Sequence, residues 1–247
     1  MVSVGMSILR RRGGTGPEDP CGREESACRA YGPAWPYFNA LAGVAGAIVI
    51  VLGLFASAAM AAPARTIVAL GDSLTAGYGL PGYEGFVAQL NAALRRARVN
   101  AHVINAGVSG DTSADGLARV DWLLQDKPDL VLVELGANDA LRGLDPTETK
   151  HHLAEIIDRI KHAGARVLLI GMKAPPNLGP EYAEKFDRIF PDLANELKVP
   201  LYPFFLDGVA ANAALNQADG MHPNAKGVSV IVKRLLPMLT RVLGEDG

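Results

Sequence analysis

The sequence predicts an α/β protein built on a parallel sheet, and three observations carry that prediction. Five short runs rich in Val, Ile and Leu recur at residues 66–70, 101–105, 130–135, 167–170 and 199–202. These runs are close to continuously apolar, as strands covered on both faces are. Longer segments with helical spacing separate them: Phe86, Leu90, Ala93 and Leu94 share one face, as do Leu117, Val120 and Leu124. Ile156, Ile157 and Ile160 repeat the pattern, and Ile231, Leu235, Leu236 and Leu239 close it. Strand and helix alternating at this spacing imply successive right-handed βαβ units.

Taken in order, the elements carry their own start and stop signals. The first run ends in Gly71-Asp72-Ser73-Leu74. Asp111-Thr112-Ser113 supplies capping side chains before the second helical segment, and Asp145-Pro146 opens the third with proline at a tolerated first-turn position. Gly164 falls where that third helix should stop. No internal repeat and no linker interrupts residues 63–247, so residues 62–247 read as one domain.

Residues 1–61 read as a leader with an export signal. Between Arg29 and Arg65 there is no charged residue, and residues 47–55 form the apolar centre. Small residues follow, with Ala59-Met60-Ala61 the best cleavage site and Ala58 a second. An apolar run followed by Ala-x-Ala is the pattern of a cleaved signal. The alternative is an uncleaved anchor helix, since residues 41–62 are long enough for a span of roughly 20 apolar residues. The strongly apolar part is shorter than that, which favours cleavage and an exported, periplasmic or secreted domain without stable membrane insertion. Arg10-Arg11-Arg12 suits a twin-arginine signal but lies far upstream of the apolar run.

Composition excludes several classes. A hydrophobic content of 49% supports a sizeable core, and a net charge of −2 with no basic cluster in the body argues against a nucleic-acid partner. Both cysteines, Cys21 and Cys28, lie in the leader. The domain therefore offers no disulfide, no cysteine nucleophile and no thiolate metal site.

Ser73 leaves the first predicted strand at the sheet edge where open α/β sheets bind ligands. By itself it also suits a helix N-cap. The nucleophile elbow of α/β-hydrolases is excluded, because Thr75 stands where Gly-x-Ser-x-Gly needs its second glycine. His222 is the best base among five histidines, and Asp219 precedes it by one short turn. That spacing lets a carboxylate fix one imidazole nitrogen while the other faces Ser73. Without Ser73, the same residues read as an Asp-Gly turn and a surface histidine. Gly107 after the second strand and Asn138 after the third supply candidate oxyanion donors, with the Ser73 N–H as another. Alone, each is also a turn or a cap. Gly77, Gly79 and Gly82 match Gly-x-Gly-x-x-Gly, but they start seven residues after Leu70 and the second strand ends in Asn105, not an acid. A dinucleotide site is excluded on that spacing, and the segment reads as a flexible loop.

These motifs together resemble the GDSL, or SGNH, hydrolases. Gly71-Asp72-Ser73-Leu74, Gly107 with Ser109-Gly110-Asp111, Gly136-Ala137-Asn138-Asp139 and Asp219-x-x-His222 match that family's four signature blocks in order. Residues 131–143 and 219–224 look particularly similar to the periplasmic branch of acyl-CoA thioesterase I, lysophospholipase and arylesterase. The resemblance implies a flavodoxin-like three-layer α/β/α sandwich with a five-stranded parallel sheet. It implies Ser73 as nucleophile, His222 as base and Asp219 as its orienter, with Ser73, Gly107 and Asn138 forming the oxyanion hole. No metal and no cofactor are implied.

The expected reaction is acyl transfer to water on small-molecule esters or thioesters with an acyl chain, by a monomer. Leu141 and Gly143 follow Asn138, and Pro175 and Leu178 follow the fourth strand; all four are expected to line the acyl groove. Two other readings remain: a carbohydrate O-acetyl esterase with the same centre, and a non-catalytic ligand-binding module.

Overall fold

The computed structural model describes residues 63–244. The predicted leader, with its export signal and both cysteines, lies outside the described residues. The described residues form one compact unit.

The chain runs β1 (Arg65–Gly71), α1 (Ser73–Ala76), α2 (Phe86–Arg96), β2 (Ala101–Gly107), α3 (Ser113–Leu123), β3 (Leu130–Glu134) and α4 (Ala137–Leu141). It continues through α5 (Pro146–His162), β4 (Arg166–Ile170), α6 (Pro180–Leu197), β5 (Leu201–Tyr202) and α7 (Ala225–Gly244). The five strands form one sheet in the order β2-β1-β3-β4-β5, and every pairing is parallel. This is the predicted α/β architecture.

The central strands are dry: every residue of β3 is buried, as are Ile67 to Gly71 of β1. At the edge, β2 buries only Val103, so its apolar run is covered less completely than its composition suggests. Helix α2 packs on α7, while α3, α5 and α6 pack in succession. The crossover from β1 to β2 runs opposite in direction to those from β2 onward. Right-handed connections therefore place these two helix groups on opposite faces. The core faces of α2 and α5 contain the residues the spacing predicted.

Thr112 caps α3 in a reciprocal box with Asp115, and Asp145 caps α5 by accepting from the Thr147 N–H. Helix α6 was not among the predicted helical faces. Pro191 interrupts its pattern, yet Phe186, Ile189, Phe190 and Leu193 bury a common side. β5 is two residues long, shorter than the run that predicted it.

Candidate active site

Reversal of strand order at β1 opens a crevice at the carboxyl ends of β1 and β3. Ser73 is the first residue of α1, directly after β1. The buried Asp72 caps that helix through the Leu74 N–H, which fixes the turn presenting Ser73. His222 reaches it from the loop before α7. The Ser73 hydroxyl lies 2.9 Å from His222 Nε2, and His222 Nδ1 lies 2.7 Å from Asp219 Oδ2. The second Asp219 oxygen accepts from the backbone N–H groups of Met221 and His222. Those two backbone donors, with the imidazole, hold the Asp219 carboxyl down at about 2. It therefore remains an anion wherever a histidine base is neutral.

A cleft of about 590 Å³ opens beside Ser73, within the usual range for small-molecule sites. Its walls include Met172, Pro175, Pro176, Phe204, Leu206 and Met221, and Asn138 and His222 face it. Of the four expected groove residues, Leu141 and Pro175 line this cleft. Gly143 and Leu178 do not. A side chain at Gly143 would sit 3.9 Å from the Leu178 side chain, so these two residues neighbour one another.

Gly107 is not brought into the cleft. Its N–H donates to Asn105 Oδ1 at 2.9 Å, and a Cβ there would meet the Ala76 backbone nitrogen at 2.3 Å. Its lack of a side chain serves the packing of α1 on β2. Gly110, which the sequence reading did not single out as a donor, lines the cleft instead. It sits in a turn closed by the Asp111 N–H on the Val108 carbonyl, with φ +91, a conformation that selects glycine. No described residue accepts its N–H.

Asn138 stands in the first turn of α4, and its side-chain amide donates to Asp72 Oδ2 and to the Asp111 carbonyl. Helix α4 is anchored below by the buried Asp139. That carboxylate accepts from the Ser113 N–H, the Ser113 hydroxyl and the Thr149 hydroxyl. Arg119 clamps the strand ends, donating to the Gly71 and Ala106 carbonyls and to Asp111. Under the site lies Glu134, buried, with Oε2 accepting from the Thr75 hydroxyl and Oε1 unpartnered. Burial, then the neighbouring Asp72, pushes its carboxyl well above the usual range. Burial likewise raises Asp72 to about 6. None of Asp139, Arg119 or Glu134 was flagged by sequence, since each acts through contacts made only on folding. Among the described residues, no His, Cys, Asp and Glu cluster is arranged to hold a metal.

Residues 69–230 match the model of the GDSL-like lipase/acylhydrolase family. The chain belongs to that family. As a GDSL acylhydrolase it is a carboxylic ester hydrolase. It is 42% identical over 183 residues to the esterase TesA of Pseudomonas aeruginosa, covering 74% of this chain and 91% of that one. Over 187 residues it is 42% identical to the thioesterase 1/protease 1/lysophospholipase L1 of Escherichia coli, covering 75% and 88%. The crystal structure of the psychrotrophic esterase EstA from a Pseudoalteromonas species, inhibited by monoethylphosphonate, superposes with a TM-score of 0.70. That match has 35% identity and covers 72% of this GDSL hydrolase and 98% of EstA.

Proposed function

We propose that this GDSL hydrolase cleaves carboxylic esters and thioesters with an apolar acyl chain through an acyl-serine on Ser73. The observation that carries the reading is the unbroken line from Ser73 through His222 to Asp219 at the edge of an apolar cleft. His222 Nε2 takes the hydroxyl proton as Ser73 Oγ bonds to the carbonyl carbon. Asp219, an anion throughout, holds the Nδ1 proton and stabilises the imidazolium that forms. Negative charge collects on the former carbonyl oxygen, and the N–H groups of Ser73 and Gly110 with the Asn138 amide are its donors. Collapse breaks the bond to the alkoxide or thiolate, which leaves with the His222 proton. Water, deprotonated by the same histidine, then releases the acid and restores Ser73.

The substrate class rests on the cleft walls. Methionine, proline, phenylalanine and leucine side chains suit an acyl chain better than a sugar, whose hydroxyls would find few partners there. The names of the relatives support the same class. Export belongs to the same proposal, supported by the uncharged stretch and the Ala59-Met60-Ala61 motif, as does action as a monomer without membrane insertion. Among the described residues no helix is long and apolar enough to cross a membrane.

The test is hydrolysis of p-nitrophenyl esters and acyl-CoA thioesters of graded chain length, with and without Ser73→Ala. Turnover that rises with chain length and disappears in the variant supports the proposal. Turnover confined to acetylated sugars would replace the substrate class, and turnover surviving Ser73→Ala would remove the nucleophile.

A further inference from the structure

The glycine-rich loop after α1, set aside as a dinucleotide motif, faces the histidine loop. Its residue Tyr78 lays its ring against the His222 imidazole, with centroids 4.7 Å apart. Gln217 ties the two loops together. Its side-chain Nε2 donates to the Tyr78 carbonyl at 2.8 Å and to the Pro223 carbonyl at 3.0 Å. Its backbone N–H donates to the His222 carbonyl at 2.7 Å. Among the described residues, the Tyr78 bond is the only hydrogen bond besides the Ser73–His222 contact that joins residues 73–85 to residues 212–224. Gly79 makes room for it: a Cβ there would lie 2.2 Å from Gln217 Oε1, and its φ of +73 disfavours any side chain.

We propose that Gln217 is a positioning residue, a strut seated on Gly79 that sets the distance between His222 and Ser73. The inference rests on the assignment of Ser73 and His222 made above. Asp219 fixes which way the imidazole points, but it belongs to the same loop as His222 and cannot locate that loop against α1. Gln217 supplies this second constraint. Both of its side-chain bonds are donated by one amide nitrogen to two carbonyl oxygens, so only a donor in that place serves. A misplacement of about 1 Å at a reacting pair costs on the order of 100-fold in rate, and partial loosening costs less.

The experiment compares Gln217→Glu, Gln217→Ala, Gly79→Ala and the double variant Gln217→Ala/Gly79→Ala on one p-nitrophenyl ester. Rates are referred to sites titrated with a p-nitrophenyl phosphonate ester, which releases one p-nitrophenolate as the serine oxygen bonds to phosphorus, so that partly folded material is not counted. Gln217→Glu keeps the shape and removes the donor; a fall of roughly 10-fold in kcat with KM within about twofold is expected. Gly79→Ala should lower kcat alone but add less once Gln217 is truncated, since the clash with its side chain has gone and only the backbone strain at φ +73 remains. Parental kcat in Gln217→Glu and Gln217→Ala would overturn the strut, as would losses at 79 and 217 that simply multiply. Ser73→Ala is run alongside. If it stays active, the active-site assignment fails; if it is dead while the Gln217 variants match the parent, only the strut fails.

Discussion

The amide of Asn138 donates to the buried carboxylate of Asp72 across 3.0 Å. Asp72 immediately precedes Ser73, so the residue that caps α1 also holds the Asn138 amide on another strand's loop. The second Asn138 proton goes to the Asp111 carbonyl, which keeps the amide at the cleft edge, and one of the two bonds must be given up when the amide turns to the developing charge. Asn138→Ala is expected to lower kcat by roughly 10²–10³-fold with a small change in KM. Steady-state kinetics on a soluble ester checks it, and an unchanged kcat would take Asn138 out of the oxyanion hole.

Asp219 is held as an anion by two backbone N–H groups before the His222 imidazole is counted. Replacing it with Asn removes the charge that stabilises the imidazolium and leaves the tautomer unset. Asp219→Asn should therefore lower kcat by about 10⁴-fold, with the melting temperature little altered because the residue is exposed. Labelling by a p-nitrophenyl phosphonate ester, read as release of p-nitrophenolate, should slow in step with kcat.

Glu134 gives a prediction about stability. Its folded carboxyl is raised well above the ordinary range, chiefly by burial. Asp72 is raised to about 6 for the same reason. A raised acid binds its proton more tightly when folded, so its contribution to stability falls as pH rises from the unfolded value through the folded one. Glu134→Gln keeps the shape and cannot ionise. Its melting temperature should exceed the parent's increasingly as the buffer is raised, by about 2–4 °C for each kcal/mol of ionisation cost removed. A difference independent of pH would show that Glu134 ionises no more easily outside the fold than within it.

The two leucines once expected to share the groove should now behave differently. Leu141 lines the cleft, whereas Leu178 is not part of its lining and neighbours Gly143. Leu141→Asp should weaken kcat/KM for long acyl chains by roughly 10-fold relative to acetyl esters, given about 0.8 kcal/mol for each CH₂ left unburied. Leu178→Asp should leave that ratio within about twofold, far below one lost CH₂ contact per carbon. A chain-length series on both variants distinguishes them.

Sequence revealed those parts of the site whose geometry is local. Asp219 and His222 lie three residues apart, and Ser73 directly follows a strand, so spacing and residue type carry most of the relation. The proposal takes Gly110 as the oxyanion donor in place of the expected Gly107, which ends β2 three residues earlier. What separates them is that the Asn105 side chain takes the Gly107 N–H, a contact no motif records. Helix α6 was overlooked since Pro191 breaks a pattern that the packing of Phe186 and Phe190 sustains. Glu134 sits one residue from the end of an apolar run, and nothing in sequence shows that it sits dry beneath Asp72.

The contact between Ser73 and His222 spans 149 positions of chain, from the first helix of the fold to the loop before the last. On the proposed assignment of Ser73 and His222, hydrolysis is a property of the finished molecule alone. A nascent or partly folded chain holds its serine without a base, and cannot act on acyl groups until α7 has docked on α2. Contacts of such long separation form late and slowly. The onset of ester cleavage during refolding would thus time the closing event of the fold, with the enzyme serving as its own clock.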